Sequence, residues 1–411
     1  MVRPERRTRG DLVAVALITV GVLTAGALLW RFGDARATES EPAMGATPAP
    51  LTTPAALPPS FAEVWRARSG ATPEPVVAGA TVVTGDGREV IGRDPFSGDR
   101  RWRYARDLDL CTVGRAPVDP GADRTAVRGA ITAWSKDPRY CSEVTAIGGD
   151  SGRRVHQRNG DAQRDTRILF DGSHVTAVGA RYLESWRFDL VRTTQYGAVP
   201  APVNPGKQPR QGCVYASAAT AANQVALLER CADGERLTVL RVNPKEAELP
   251  EVLYSVVLND PAALVVSTAA QRTSVLLTAP PRLAVYDDKG NQVGVRPIAA
   301  VPPEDTGAVA VADTVTTADA VFWWTGRDTV ALSTADLGTL WTVEDTQGPG
   351  TLFAGRLLVP MPGELAVVDA QSGQVLGTTP VDRDGYDGPV RMATAGPVVL
   401  EQRGDTLVAL R

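Results

Sequence analysis

The chain is poor in the side chains that acid–base and metal chemistry draw on. Its 411 residues include two histidines, His156 and His174, four cysteines and four methionines. Neither histidine follows a nucleophile elbow or stands at a metal-ligand spacing, so imidazole chemistry has little material. The cysteines contain no Cys-x-x-Cys pair and no adjacent pair, which speaks against a tetrahedral metal site. A formal net charge of -4 supplies no basic field to recruit nucleic acid. From Phe61 onward no amphipathic helix of three turns can be traced, and short β-rich runs separated by Gly, Asp, Asn and Pro fill the chain instead. The rest of the composition is that of a globular protein, 43% hydrophobic and 22% charged, with many glycines and prolines for turns.

The N-terminus carries the strongest local pattern. Arg3, Arg6, Arg7 and Arg9 precede an uncharged run over residues 12–30, which Arg31 closes. At 1.5 Å per residue this run covers roughly the ~30 Å hydrocarbon core of a bilayer. The preceding arginines place the N-terminus in the cytoplasm and the bulk of the chain outside. The rival reading is a secretory signal cleaved at Ala35-Arg36-Ala37. The run exceeds the ~7–15 residues of a signal-peptide core, which favours an uncleaved anchor. No cysteine ends the run, which excludes a lipid-modified anchor. The expected division is a basic cytoplasmic segment at 1–11, a membrane anchor at 12–30, a disordered spacer at 31–60 and an extracytoplasmic domain at 61–411. Pro42, Pro48, Pro50, Pro54, Pro58 and Pro59 break any apolar period in the spacer, which would hold the domain nanometres off the membrane at most, at ~3.1 Å per residue.

One phrase recurs at long spacing. Val90-Ile91-Gly92-Arg93-Asp94-Pro95-Phe96-Ser97-Gly98 leads to Trp102, and Leu365-Ala366-Val367-Val368-Asp369-Ala370-Gln371-Ser372-Gly373 leads into a second strand. Looser copies fall at Asp150-Ser151-Gly152, at Asp287 to Gly290 and before Trp341. Self-similarity at tens of residues marks a repeat architecture, and four-stranded units packed against one another give a β-propeller. Units can be placed at 76–107, 126–159 (with its first strand near Cys111), 167–197, 212–258, 262–298, 306–345, 348–384 and 388–411. The last supplies three strands, and the segment around Trp65 is the expected fourth, closing the ring and removing a free edge. Eight blades result; seven is the alternative, because the units over 167–258 match least well.

The Asp-x-x-Ser/Thr-Gly-x-x-x-Trp phrase resembles the blade motif of pyrroloquinoline-quinone-like (PQQ-like) propellers, a group that includes quinoprotein alcohol dehydrogenases and outer-membrane assembly lipoproteins. With its arginine-rich start, single anchor and Pro/Ala spacer, the whole chain looks like an actinobacterial membrane-anchored member. Only residues 94–102 match the full motif; Gly377 stands where the second copy would carry tryptophan. The resemblance implies structural roles for Asp94, Gly98, Trp102, Trp341, Asp369, Gly373 and Trp65, with each tryptophan docking between blades. Active quinoproteins also carry a vicinal cysteine pair and a calcium site, and this sequence lacks the former and shows no convincing ligand set for the latter. No catalytic, metal or cofactor-binding residue is therefore expected.

The four cysteines fall as two pairs inside single units. Strand neighbours bring Cβ atoms to ~4.5–5.5 Å, close to what a disulfide needs, so an oxidising compartment favours Cys111–Cys141 and Cys213–Cys231. The first pair is more widely spaced because its unit carries an extra loop at 115–128. Four free buried thiols are the alternative. Of the remaining features, Asp382-Arg383-Asp384-Gly385-Tyr386-Asp387-Gly388 could offer oxygen ligands to calcium but reads better as a connection between blades. His156 occupies the slot of Trp102 in its own unit, and His174 is expected to face solvent. Phe322-Trp323-Trp324 alternates faces, so one ring packs between blades and another could reach the surface. Arg100, Arg101, Arg103 and Arg106 read as a solvated rim offset by Asp99, Asp107 and Asp109. The expected function is a non-catalytic binding or scaffold module in cell-envelope assembly or transport, with an envelope protein, lipid or glycan as partner. An envelope hydrolase or oxidoreductase acting on a sugar or lipid in the channel is the alternative.

Overall fold

A computed structural model describes residues 8–33, 36–117, 129–135, 137–247, 249–301 and 308–411. Arg3, Arg6, Arg7, Ala35 and most of the 115–128 loop lie outside the described residues.

Eight four-stranded antiparallel sheets follow one another along the chain, so the fold is an eight-bladed β-propeller. Blades 1 to 7 begin with the inner strands Val76–Ala78, Asp109–Ala116, Arg167–Phe170, Val214–Ala221, Ala262–Ala269, Thr314–Thr316 and Thr351–Phe353. Blade 8 comprises Val390–Ala395, Val398–Arg403, Thr406–Leu410 and, from the other end of the domain, Glu63–Arg68. That last strand pairs antiparallel with Thr406–Leu410, Arg66 opposite Val408, and so closes the ring.

The middle strands are the most apolar because both of their faces meet a neighbouring blade. All six residues of Glu143–Gly148 and of Val398–Arg403 are buried, whereas the outer strand Val375–Pro380 is largely exposed. Apolar clusters accordingly span blade interfaces: Val83 and Trp102 of blade 1 share one with Val113 and Trp134 of blade 2. Strand alternation also defines two faces. The turns after the first and third strands lie on one, here called the turn face. The turns after the second strand and the blade-to-blade connections lie on the other, the connection face.

A 24-residue helix, Arg9–Phe32, precedes the propeller, and none of its residues is buried. Thr8 and Asp11 form a capping box at its start, and Arg31 stands in the last turn. Its length of ~36 Å, and an 18-residue stretch within it of mean hydropathy 2.5, suit a bilayer core.

The segment expected to be a disordered spacer departs from that expectation. Thr38–Glu41 forms a fifth strand on blade 1, pairing antiparallel with the outer strand Arg100–Arg106. Beyond it the Ala43 amide donates to the Ser151 carbonyl at 2.9 Å in the turn of blade 2. Leu51 packs into the apolar cluster of blades 8 and 1, and Leu57 into that of blades 7 and 8. The chain thus crosses the turn face before it enters blade 8. Proline stops it from joining a ladder along the way but not from laying apolar side chains onto one.

Candidate functional site

The recurring turn phrase builds the joints between blades. In blade 1, the Asp94 carboxylate accepts from the amides of Phe96 and Ser97, and Arg101 donates to its other oxygen at 2.6 Å. Gly98 follows at φ +74°, a conformation that disfavours any side chain. A Cβ there would lie 2.7 Å from the ring of Trp65, whose indole nitrogen donates to the Pro95 carbonyl at 2.9 Å. Trp102 crosses Gly152 in the same way and donates to the Gly149 carbonyl at 2.6 Å. Trp341 crosses Gly373 and donates to the Ala370 carbonyl at 3.1 Å. Each of these three joints is therefore a tryptophan on the outer strand of one blade, laid over the bare glycine of the next blade's turn, whereas Val256 and Tyr254 lie over Gly290 at the joint of blades 4 and 5. In that turn Asp369 accepts from Gln371 and Ser372.

Both cysteine pairs are disulfides, Cys111–Cys141 and Cys213–Cys231, with Cα atoms 6.1 and 4.4 Å apart. Cys213, Glu229 and Cys231 come close enough to hold a metal, yet both sulfurs are consumed by the bridge. Glu229 is also occupied: it accepts from Tyr196 at 2.7 Å, from Arg210 at 3.2 Å and from Thr238. Burial beside this carboxylate pushes the Tyr196 hydroxyl well above the usual phenol range. The group is a structural network inside blades 3 and 4.

The remaining residues singled out from the sequence are partly as expected and partly not; the 382–388 loop is the connection between blades 7 and 8 that its sequence favoured. The 382–388 loop is built around Arg383, not around open oxygen ligands. That guanidinium is buried, donates to the Met361 carbonyl at 2.6 Å and pairs with Glu401 at 2.8 Å. Phe322 and Trp323 are both buried, on opposite faces of their strand, and Trp324 is half-buried with its indole donating to Thr346. No ring of this triplet is fully exposed. His156 is half-buried, in keeping with its reading as a partly buried structural histidine. His174, expected to face solvent, is half-buried too, its backbone amide donating to Asp171, and burial lowers the affinity of its ring for a proton. The arginines of the outer strand of blade 1 are not a free rim. Arg103 pairs with Glu39 and Glu89, Arg100 with Glu41, Arg101 with Asp94, and Arg106 is buried against Glu143 at 2.8 Å. Two of those partners belong to the added strand Thr38–Glu41, which is acidic where the strand it joins is basic.

Sequence reading missed the axis of the ring. The connection from blade 5 to blade 6 does not pass directly between them. Ala310 forms a parallel bridge to Ser217, donating to the Ala216 carbonyl at 2.9 Å and accepting from the Ala218 amide at 3.0 Å. This uses the free edge of the inner strand of blade 4. The neighbouring Val309 is 1% exposed and packs with Leu169, Tyr215 and Ala218 of blades 3 and 4. Three residues on, Asp313 accepts from Arg391 of the inner strand of blade 8 at 2.6 Å, and Arg391 in turn donates to the Pro73 carbonyl ahead of blade 1. A segment that touches the inner strands of blades 3, 4 and 8 lies across the central channel. Asp313 and Arg391 are spent on each other there.

The molecule is thus an eight-bladed β-propeller whose axis is crossed by its own chain. No protein-family profile matches the sequence, and no curated protein matches it. Among solved structures, dihydro-heme d1 dehydrogenase NirN, in complex with DHE, is similar with a TM-score of 0.51 at 15% identity over 89% of this chain and 73% of that one. BamB from Moraxella catarrhalis is similar with a TM-score of 0.49 at 15% identity, over 85% of this chain and 99% of that one. At such identity the likeness concerns the fold alone.

Proposed function

We propose that this protein is a membrane-tethered, extracytoplasmic propeller of the PQQ-like class that acts as a non-catalytic binding module in the cell envelope. The observation that carries the proposal is the channel segment 308–313, which occupies the axis where an enzymatic propeller would place its substrate or cofactor. A filled axis leaves the two faces and the outer strands as the surfaces available to a partner. The helix Arg9–Phe32 supports the tether, since a fully exposed apolar helix is stable only in an apolar medium. The two disulfides support an oxidising compartment outside the cytoplasm.

The test is site-specific crosslinking in cells, with a photoreactive residue placed on either face or on an outer strand. A binding module gives a defined adduct with an envelope component from one surface and none from the others. Turnover of a sugar or lipid by the purified protein, abolished by Arg391→Ala or Asp313→Ala, would establish the alternative enzyme reading instead.

A further inference from the structure

The anchor is tied to the propeller far more tightly than a free spacer would allow. The helix ends at Phe32, and the Ala37 carbonyl already accepts from the Asp107 amide at 3.1 Å, with Thr38 opposite Arg106. Between them the Arg36 amide donates to the Gly33 carbonyl at 3.1 Å. Even fully extended, this stretch spans at most ~18 Å. Arg106 ends the outer strand of blade 1 at the connection face. The connection face, at the junction of blades 1 and 2, is therefore held beside the bilayer, and the turn face with its crossing strap points away.

The connection face is not uniform. Next to the tether, blades 2 and 3 present exposed Arg164 and Arg181, and the long connection at 198–212 adds exposed Lys207 and contains no acidic residue. Val203, at the tip of that connection, is 60% exposed. Arg139 is also exposed there, chelated by Asp137; the further carboxylates of the sector are Asp161, Asp165 and Asp109, which pairs with Arg88, with Asp107 at the junction beside the tether. Across the ring, blades 6 to 8 expose Glu344, Asp345, Asp382, Asp384, Asp387 and Asp405 on the same face, of which Asp345, Asp384 and Asp405 are offset by the exposed Arg327, Arg66 and Arg68. A disc held at one rim can lean either way. The second sector keeps the larger excess of carboxylates, so an anionic surface favours leaning on the first, where the 198–212 connection carries cations and no acid.

Taking the tether of the preceding section as given, we propose that the connection face docks on the anionic headgroups of the bilayer itself through blades 2 and 3 and the 198–212 connection. Lys207, Arg164 and Arg181 contact phosphate, and Val203 enters the headgroup layer. Such contacts act only within about a Debye length, ~8 Å at physiological ionic strength. The short tether is what brings them into range.

The experiment uses the full chain reconstituted in phosphatidylcholine vesicles with or without phosphatidylglycerol. All four native cysteines are in disulfides, so a fluorophore can be placed alone at Val203→Cys or, across the ring, at Asp345→Cys. Quenching by headgroup-labelled lipid is read at both positions. The expected result is strong quenching at 203 only, dependent on phosphatidylglycerol and lost in molar salt. Each of Arg164→Glu, Arg181→Glu and Lys207→Glu should lower the docked-to-free ratio by roughly fivefold or more. Equal quenching at 203 and 345, or quenching independent of lipid charge, overturns the docking. Resistance to alkaline carbonate is measured on the same vesicles: extraction would overturn the tether and the docking together, whereas resistance with equal quenching overturns the docking alone.

Discussion

Replacing Trp65 by alanine tests whether ring closure depends on the joint between blades 8 and 1. The indole is 9% exposed, crosses Gly98, and donates to the Pro95 carbonyl. Its ring packs with Val82 of blade 1 and Val398, Leu400 and Leu407 of blade 8. Truncating a buried tryptophan costs about 3–5 kcal/mol, cavity included. For about 350 folded residues the unfolding entropy is roughly 0.7 kcal/mol/K, so a 4 kcal/mol loss lowers the melting temperature by about 5–6 °C. Trp102→Ala and Trp341→Ala remove equivalent rings and should cost a similar amount. Only Trp65 lies on the strand brought in from the other end of the domain, which distinguishes its effect. In Trp65→Ala the amides of Glu63–Arg68 should exchange with solvent much faster, while in Trp102→Ala they should keep their protection. Calorimetry reads the first effect and hydrogen exchange the second. A loss below about 1 kcal/mol, or unchanged exchange in Glu63–Arg68, would refute the closure argument.

Removing the bridges should be measurable one at a time. Loop closure over 18 residues predicts a loss of about 3 kcal/mol for Cys213→Ser/Cys231→Ser, and over 30 residues about 3.5 kcal/mol for Cys111→Ser/Cys141→Ser, read by urea unfolding. Thiol labelling of the denatured, unreduced protein should find no free cysteine. Acid should act through the turns. Burial raises the proton affinity of Asp94, but the amides of Phe96 and Ser97 and the Arg101 guanidinium outweigh it, and hydrogen bonds to Ser372 and Asn291 hold Asp369 and Asp287 below the usual carboxylate range. Native values below the unfolded ~3.9 mean that this stability is complete above that pH and is lost as pH falls through the native values. Melting temperature should therefore drop below about pH 4, and the triple Asp→Asn variant should start lower at neutral pH and show a shallower acid slope. An unchanged slope would remove the turns as its origin. Arg383→Met strips one cation from the buried Glu401, leaving Arg403 at 2.7 Å, and should cost about 3 kcal/mol in the same unfolding assay.

The blades were legible because their cause is local and repeated. Asp94 and Asp369 fold back onto amides two and three residues later, Gly98 and Gly373 take the left-handed step, and a strand follows. Each of these is written in about nine consecutive residues. The strand around Trp65 could be assigned to blade 8 from a shortage, since three strands after Val390 leave one edge unpaired. Counting succeeded there even though the partners stand more than three hundred residues apart. The half-buried position of His174 was not legible, because nothing near Asp171 in the chain states what packs over that turn.

What escaped sequence reading was backbone that binds where no pattern announces it. Thr38–Glu41 has only four residues and no apolar alternation. It joins blade 1 because its glutamates meet Arg100 and Arg103, and because the backbone of an outer strand offers unpaired donors and acceptors to any extended neighbour. The same physics draws Ala310 to the inner edge of blade 4, where a single parallel bridge and a buried Val309 suffice to hold a proline-flanked connection across the axis. Composition marks the first segment as a spacer, and the second fell inside the unit placed at 306–345; neither could bury a core of its own. Each instead borrows an edge that the propeller had already made. Those two borrowings set the functional geometry. One lays chain across the channel, which is what the proposed binding role on the faces rests on. The other leaves few residues between the apolar helix and blade 1, which is what the proposed docking of the connection face rests on.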